Sequence, residues 1–149
     1  MYMAKVFHMG QEVCRYTKIR LDLIEQNSGN DAMLPFDYYN IIAGDIPVGK
    51  ISIRYGDNFH SYYNGHIGFE VFESHRGSNY AYSASIIVLG IAKNKGISKI
   101  FLTCRESDTA SKRIFDKLGA SFIEVVKIPI ECFFYYDGIE DYAIYRLEL

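Results

Sequence analysis

The spacing of apolar residues along the chain predicts both helices and strands. Apolar residues recur every three or four positions over 11–27, 80–94 and 108–119, which is typical of amphipathic or buried helices. In the first of these segments the recurring residues are Val13, Tyr16, Ile19, Leu23 and Ile24. Alternating or continuous apolar runs predict strands over 4–8, 36–43, 48–55, 66–72, 100–104, 122–130 and 142–149.

The order of these elements predicts a β-α-β unit in the middle of the chain. The strand over 66–72 leads through a short turn into the apolar helix over 80–94, and residues 100–104 follow as a buried strand. A continuous apolar strand after a helix favours a parallel neighbour that is reached by a right-handed crossover. The strands over 36–43 and 48–55 are separated by a short turn, which predicts an antiparallel hairpin.

The turn over 76–81 has the composition of an anion site. It reads Arg76-Gly77-Ser78-Asn79-Tyr80-Ala81, between a strand and a helix. The first amides of a helix lack intrahelical acceptors and carry partial positive charge, so a phosphate binds well there. Gly77 permits close approach of the backbone, Asn79 tolerates a left-handed conformation, and Arg76 adds a cation. Taken alone, such a turn is more often only a connection.

A second segment follows one strand later and changes the interpretation of the turn. Residues 108–120 read Asp-Thr-Ala-Ser-Lys-Arg-Ile-Phe-Asp-Lys-Leu-Gly-Ala, with Asp108 in the place of a helix cap and Gly119 at the end. Together, the two segments resemble the GNAT superfamily of N-acetyltransferases. The first is similar to its acyl-CoA pyrophosphate loop, Arg/Gln-x-x-Gly-x-Gly/Ala, and the second to its Asn-x-x-Ser helix that ends in Leu-Gly-Phe. The resemblance covers about residues 36–149.

The resemblance implies an α+β, three-layer fold. Its central sheet is mixed and mostly antiparallel, with one parallel pair of strands that splay apart and with helices on both faces. Residues 1–149 would then form a single acyl-CoA N-acyltransferase domain. Acetyl-CoA would be the co-substrate, and the acetyl group would pass directly to an amine without a covalent enzyme intermediate.

The resemblance also implies which residues bind the cofactor. Pantetheine would hydrogen-bond to the backbone near Phe69 and Val71, and Asp108 and Ser111 would lie near its arm. The pyrophosphate would lie on the loop amides, and the implied loop residues are Arg76, Gly77, Ser78, Asn79, Tyr80 and Ala81.

Four positions depart from the family pattern. Asn79 replaces the usual Gly, Asp108 the usual Asn, and Ala120 the usual Phe. Phe115 stands where many members have a Tyr that protonates the leaving thiolate. Because a phenyl ring has no proton to donate, that route is closed in this chain.

Three side chains are candidates for the acid–base chemistry. An amine must be neutral to attack, so a base beside the thioester promotes the reaction. His66 and Glu70 share one face of the predicted strand over 66–72; His has the better ordinary pKa for this task, whereas Glu would need a pKa raised by burial. Tyr145 on the last strand is the candidate acid. The alternative for each is an ordinary structural role, and positioning of amine and thioester alone can supply much of the rate.

Composition and charge narrow the class of protein. The chain has 149 residues, enough for one domain with a substantial core, and its net charge of −2 includes no basic block, so nucleic-acid binding is not expected. Cys14, Cys104 and Cys132 match neither a disulfide framework nor a zinc pattern, and the histidines show no ligand spacing, so we expect no metal. No apolar run approaches about 18 residues, so we expect no membrane span and a cytoplasmic location.

Three functions remain open at this stage. The first is an acetyl-CoA-dependent N-acetyltransferase acting on a small-molecule amine or a peptide N-terminus. The second is a non-catalytic acyl-CoA-binding or interaction domain, which Phe115 keeps open, and the third is an α/β domain that binds another phosphate ligand. The acceptor pocket is expected from segments without motifs, namely the predicted N-terminal helix and the loops over 56–65 and 133–136. Homodimerisation through the last strands is a further expectation without a specific pattern.

Overall fold

The computed structural model describes residues 5–8, 11–14 and 19–149, which divide into two compact units. The first unit combines the chain up to Tyr55 with Ile67–Gly96, and the second combines Gly56–His66 with Ile97–Leu149. The elements of the first unit are β1 Lys5–His8, β2 Gln11–Cys14, β3 Ile19–Asn27, β4 Phe36–Ala43, β5 Ile46–Arg54, β6 Ile67–Val71 and α2 Tyr80–Asn94. Those of the second are α1 Ser61–Asn64, β7 Lys99–Arg105, α3 Thr109–Leu118, β8 Ser121–Val126 and β9 Tyr142–Glu148.

The first unit is a six-stranded antiparallel sheet in chain order, from β1 to β6. The predicted hairpin of β4 and β5 is confirmed, with a register shift next to Ile41. Helix α2 contacts β2, β3, β5 and β6. Its small and branched residues fill the core together with alternate strand residues, and the deeply buried apolar residues of this unit include Ile19, Leu21, Ile41, Val48, Ile51, Ile53, Ala84, Ile87, Val88 and Ala92.

The predicted helix over residues 11–27 is wrong, because β2 and β3 occupy this segment. Ile19 and Leu21 are buried, whereas Leu23 and Ile24 are 43% and 45% exposed. Ile19 and Leu23 fit a helical spacing of four, but Ile19, Leu21 and Leu23 also fit the period of two of a strand, and pairing along the whole of β4 decides in favour of the strand. Tyr16, which the helical pattern used, lies outside the described residues. The expected helical wall for an acceptor pocket is therefore not present at 11–14 and 19–27.

The second unit is a three-stranded antiparallel sheet in the order β7-β9-β8. Phe101 contacts Tyr62 of α1, with the ring centroids 5.0 Å apart, and Tyr145 contacts Phe115 of α3 at 5.1 Å. Phe101 and Tyr145 belong to adjacent cross-strand pairs, so their side chains lie on opposite faces of the sheet. Helices α1 and α3 therefore cover opposite faces of this sheet.

The strand-helix-strand order of β6, α2 and β7 is as predicted, but every pairing within the two sheets is antiparallel. Strand β6 pairs with β5, and β7 pairs with β9. The predicted parallel pair is therefore not found within either sheet. The mixed α+β class is confirmed.

Candidate functional site

The turn between β6 and α2 has the backbone geometry of an anion cradle. A short 3-10 turn, Glu73–His75, leads out of the strand, and Gly77 follows with φ +95°. Asn79 precedes the helix with φ 61°, and in the described part of the chain it is the only non-glycine residue with a positive φ. The sequence prediction that Asn79 tolerates the left-handed conformation is therefore confirmed.

The amides at the start of α2 point out of the helix. The first intrahelical bond is from the amide of Ser83 to the carbonyl of Asn79, at 3.0 Å, so the amides of Tyr80 and Ala81 precede the hydrogen-bonded ladder. The Asn79 side chain does not cap the helix, and the first turn contains no acidic residue. A Cβ added to Gly77 would meet no atom within 4 Å, so the loop is open on this side. The loop therefore exposes backbone amides and the positive end of the helix dipole, and no acidic side chain in the first turn of α2 neutralises them.

Arg76 is held against the strand that precedes the loop. Its Nε donates to the carbonyl of Val71 at 3.1 Å, which fixes the guanidinium beside the end of β6. Arg76, Gly77, Ser78 and Asn79 are exposed, whereas Ala81 is buried in the unit. Phe69 and Val71 lie half-buried on β6, the last strand of its sheet. The first unit therefore brings the predicted strand and loop residues of the cofactor site together.

Asp108 and Ser111 meet in the second unit at the start of α3. The Asp108 carboxylate accepts the Ser111 amide at 3.0 Å and the Ser111 hydroxyl at 2.7 Å, as expected of a helix N-cap. The helix ends at Gly119, which has φ +87°. Both boundaries predicted for this helix are confirmed.

Phe115 and Tyr145 lie against each other inside the second unit. Phe115 is 2% exposed and Tyr145 is 6% exposed, and their rings pack edge to face. Burial raises the pKa of the Tyr145 phenol, with Asp116 as a smaller cause. The phenol therefore stays protonated at neutral pH. The position that lacks a hydroxyl, Phe115, thus has a phenol as its direct neighbour.

His66 is buried, and both of its ring nitrogens are hydrogen-bonded. Nε2 lies 2.7 Å from the Gly56 carbonyl and donates to it, while Nδ1 accepts the Phe101 amide at 2.9 Å. Asp57 Oδ1 lies 3.4 Å from Nε2. A proton taken up at Nδ1 would break the bond to Phe101. Glu70, in contrast, is exposed on β6 and pairs across the sheet with Lys50.

Two described cysteines are buried, and neither is suited to carry an acyl group. Burial, followed by the nearby Asp108 carboxylate, raises the pKa of Cys104 to about 12. Burial also raises the pKa of Cys132. Since the thiolate is the nucleophile, both thiols are unreactive at neutral pH.

Sequence reasoning did not single out His60, although its ring lies 5.2 Å from that of Phe133. The His60 ring therefore links the two loops from which an acceptor pocket was expected. In the sequence, the only indication of this role was its place in an aromatic-rich segment. The described residues contain no group of three or more His, Cys, Asp or Glu placed to hold a metal ion. Of the helices described, none is long and apolar enough to cross a membrane.

Comparison with known protein families identifies the chain. The model of the acetyltransferase (GNAT) domain matches residues 7–121. The chain belongs to the GNAT acetyltransferase family. The family predicted from the loop over 76–81 and the helix over 108–120 is therefore confirmed. A search of curated proteins gave no match.

Solved structures of GNAT acetyltransferases share the fold at low sequence identity. The Salmonella typhimurium enzyme that modifies the N-terminal serine of ribosomal protein L7/L12 is 19% identical, with a TM-score of 0.61 over 76% of this chain and 64% of that one. A Bacillus anthracis GNAT acetyltransferase is 23% identical, with a TM-score of 0.58 over 74% and 65%. The microcin C7 self-immunity acetyltransferase MccE, solved with acetyl-CoA and AMP, is 17% identical, with a TM-score of 0.61 over 76% and 61%. This chain thus spans less than two thirds of each of these proteins.

Proposed function

We propose that this GNAT domain transfers an acetyl group from acetyl-CoA to the primary amine of a small molecule or a peptide N-terminus. The observation that carries the proposal is the left-handed Asn79, two residues after the positive-φ Gly77, which starts α2 with the amides of Tyr80 and Ala81 outside the hydrogen-bonded ladder, in the same loop as Arg76. The Salmonella relative modifies a protein N-terminus, and MccE was solved with acetyl-CoA, so both parts of the proposal have a precedent on this fold.

The loop would hold the cofactor by its pyrophosphate. The amides of Tyr80 and Ala81 and the guanidinium of Arg76 supply hydrogen bonds and positive charge, and the 15-residue α2 adds its dipole. The backbone of Phe69 and Val71 on the edge strand would align the pantetheine arm, and we retain Asp108 and Ser111 as proposed contacts. The cofactor supplies the activated thioester, and the chain positions it.

The acetyl group would pass directly to the amine. A covalent route needs a reactive nucleophile, and the raised pKa values of Cys104 and Cys132 keep both thiols protonated. Direct attack requires only a neutral amine and an aligned thioester, for which positioning contributes strongly.

The proposed roles in proton transfer differ in their structural support. Glu70 is exposed and within reach of an incoming amine, but it lacks the burial that a carboxylate base requires; both ring nitrogens of His66 are already hydrogen-bonded. We retain Glu70 as the proposed base for its accessibility, and assign His66 a positioning role. Tyr145 is the candidate acid, because its phenol is protonated and adjoins Phe115.

A non-catalytic acyl-CoA-binding domain is the second candidate function. Phe115 favours it, because this buried side chain has no proton to deliver to the leaving thiolate. Both candidates share the loop over 76–81, so cofactor binding alone cannot distinguish them.

Calorimetric titration with acetyl-CoA tests the shared part. We expect Arg76→Ala to weaken binding about 10- to 150-fold, since a charge-assisted hydrogen bond contributes about 1.5–3 kcal/mol. Asn79→Gly should bind like the wild type, whereas Asn79→Val should lose binding because a branched residue is strained at positive φ. Arg113→Ala, at an exposed position on α3, is the matched control. No binding by the wild-type protein would exclude both candidates.

Thiol release in the presence of an amine panel separates the enzyme from the binder. Turnover with any amine establishes transfer, and we expect Tyr145→Phe to lower kcat while acetyl-CoA affinity stays unchanged. Tight acetyl-CoA binding without thiol release across small amines and free peptide N-termini would favour the non-catalytic function.

A further inference from the structure

An aromatic surface lies on the second unit, away from the loop over 76–81 in sequence. It comprises Phe59, His60 and Tyr63 from the α1 segment and Phe133 and Phe134 from the segment before β9. The His60 ring joins the two segments, at 5.3 Å from Phe59 and 5.2 Å from Phe133. The outer members extend the contact, since Tyr63 lies 5.7 Å from Phe59 and Phe134 lies 5.4 Å from Phe133.

This surface is too exposed to be explained by folding alone. Phe59 is 53% exposed and Phe133 is 70% exposed, and Ile130 and Tyr136, which flank the latter in sequence, are 72% and 53% exposed. Contiguous exposed apolar residues on this scale mark interaction sites more often than single exposed ones do. The five aromatic rings therefore have the character of a docking surface.

The charges of the same segments determine which partner fits. Residues 56–66 and 128–140 contain Asp57, Glu131, Asp137 and Glu140, but no Lys or Arg. Glu140 is occupied by Ser107, and Lys127 just outside the segment pairs with Asp141 at 3.6 Å. Asp57 and Glu131 are exposed and stand two residues in sequence from Phe59 and Phe133 respectively, and Asp57 also lies 3.4 Å from His66 Nε2. Arg105 of β7 interacts with Tyr136 and Glu140, at the far end of the second segment. Aromatic faces bordered by carboxylates attract cations, through cation–π interaction and charge.

His60 adds a polar group to the apolar surface. Its Nδ1 is buried, and within the described ranges no atom is hydrogen-bonded to it. Buried polar groups are normally satisfied, so this nitrogen is available to a hydrogen-bond donor of a ligand that parts the neighbouring rings of Phe59 and Phe133. This observation is independent of the exposed rings and the carboxylates.

We propose that the aromatic surface binds the acceptor, and that the acceptor is a basic peptide with a free N-terminus and Lys or Arg close behind it. The cationic side chains would lie over the rings of Phe59 and Phe133, with Asp57 and Glu131 as counter-charges. The claim that the bound peptide is the acceptor rests on the proposed transferase function. The claim that the surface binds such a peptide does not rest on it.

Peptide binding in the absence of acetyl-CoA tests the proposal. Three fluorescent tetrapeptides of equal length, Ala-Lys-Lys-Ala, Ala-Gln-Gln-Ala and Ala-Glu-Glu-Ala, are labelled at the C-terminus and titrated by anisotropy. We expect the basic peptide to bind about 5- to 30-fold tighter than the neutral one, and the preference to shrink at high salt. Equal affinities for the basic and acidic peptides would overturn the proposal.

Matched variants locate the binding. Phe59→Ala, Phe133→Ala and Glu131→Gln should each weaken the basic peptide several-fold, and His60→Phe should weaken it while keeping an aromatic ring. Phe122→Ala is the control, because Phe122 is 56% exposed in the same unit but lies on β8. Unchanged affinity in Phe133→Ala, or a dimer in sedimentation that Phe133→Ala dissociates, would contradict the proposal.

The failures of the two proposals are distinguishable. If Phe133→Ala abolishes peptide binding and the wild-type protein releases no thiol with any amine, the peptide-binding proposal is supported and the transferase proposal is refuted. If the protein acetylates amines and Phe133→Ala does not change the rate, the transferase proposal is supported and the proposal that the aromatic surface binds the acceptor is refuted.

Discussion

Truncation of His66 tests whether this residue is structural or catalytic. The side chain is 3% exposed, and it bonds to the Gly56 carbonyl and the Phe101 amide at 2.7 and 2.9 Å. Each net hydrogen bond contributes about 1 kcal/mol, and an unsatisfied Phe101 amide adds a penalty of about 1–3 kcal/mol. We therefore expect His66→Ala to lower the free energy of unfolding by about 3–5 kcal/mol, a large share of the about 5–15 kcal/mol typical of a domain.

Conservative variants divide the loss between the two bonds. Asn places an amide oxygen near the position of Nδ1 and can still accept the Phe101 amide, so His66→Asn should recover about 1–3 kcal/mol of the loss. Urea unfolding followed by circular dichroism measures these differences, with Glu70→Gln as a control at an exposed position on β6. If His66→Ala unfolds at the wild-type urea concentration while kcat loses its acidic limb, His66 is the base and the structural interpretation is wrong.

Three further outcomes follow from buried and capping groups. Asp37→Ala should lower the free energy of unfolding by about 1–3 kcal/mol, because the buried carboxylate accepts the Tyr55 hydroxyl at 2.6 Å; urea melts in a double-mutant cycle with Tyr55→Phe measure this. Asp108→Ala should cost about 0.5–2 kcal/mol through loss of the α3 cap, and Asp108→Asn should recover most of it in the same assay. Burial and the bond to Glu124 raise the pKa of Tyr62 from 10.0 to about 12, so stability should fall as the pH rises through this range. Thermal melts of Tyr62→Phe should show a smaller fall, since the pKa values of Tyr135 and Tyr145 are also raised.

The helices and strands that are predicted well are those whose first and last residues are marked by capping or turn residues. Helix α2 spans Tyr80–Asn94 as predicted, because a left-handed Asn and a Lys-Gly pair bound an unbroken apolar pattern. Strand β4 also matches, and α3 is set by Asp108 and Gly119. In contrast, the four-residue α1 is too short for a periodic signal. The helix predicted over 11–27 was wrong because Ile19 and Leu23 satisfy both the helical and the strand period, and the pairing with β4 that decides between them is not local.

The same distinction separates the two parts of the candidate site. The conformation of the loop over 76–81 depends on local backbone preferences. Gly77 and Asn79 set these preferences directly, so the loop conformation could be predicted from a few residues. The environment of His66 depends on Phe101, 35 residues away. The Phe101 amide donates to Nδ1 and so occupies the lone pair that a base would need. No property of the sequence over 66–72 indicates this contact.

Under the proposed function, Tyr145 would stand in for the hydroxyl that Phe115 lacks, with a clear limit. A phenol is protonated at neutral pH in any case, and burial raises the pKa of Tyr145 and so weakens it as an acid. A weaker acid transfers its proton less readily to a leaving thiolate, so a hydrogen bond from Tyr145 can lower the barrier only modestly. In a direct transfer, the remaining acceleration must then come from alignment of amine and thioester. For the proposed transferase, acceptor docking, rather than acid catalysis, is therefore the step on which the rate should depend most strongly.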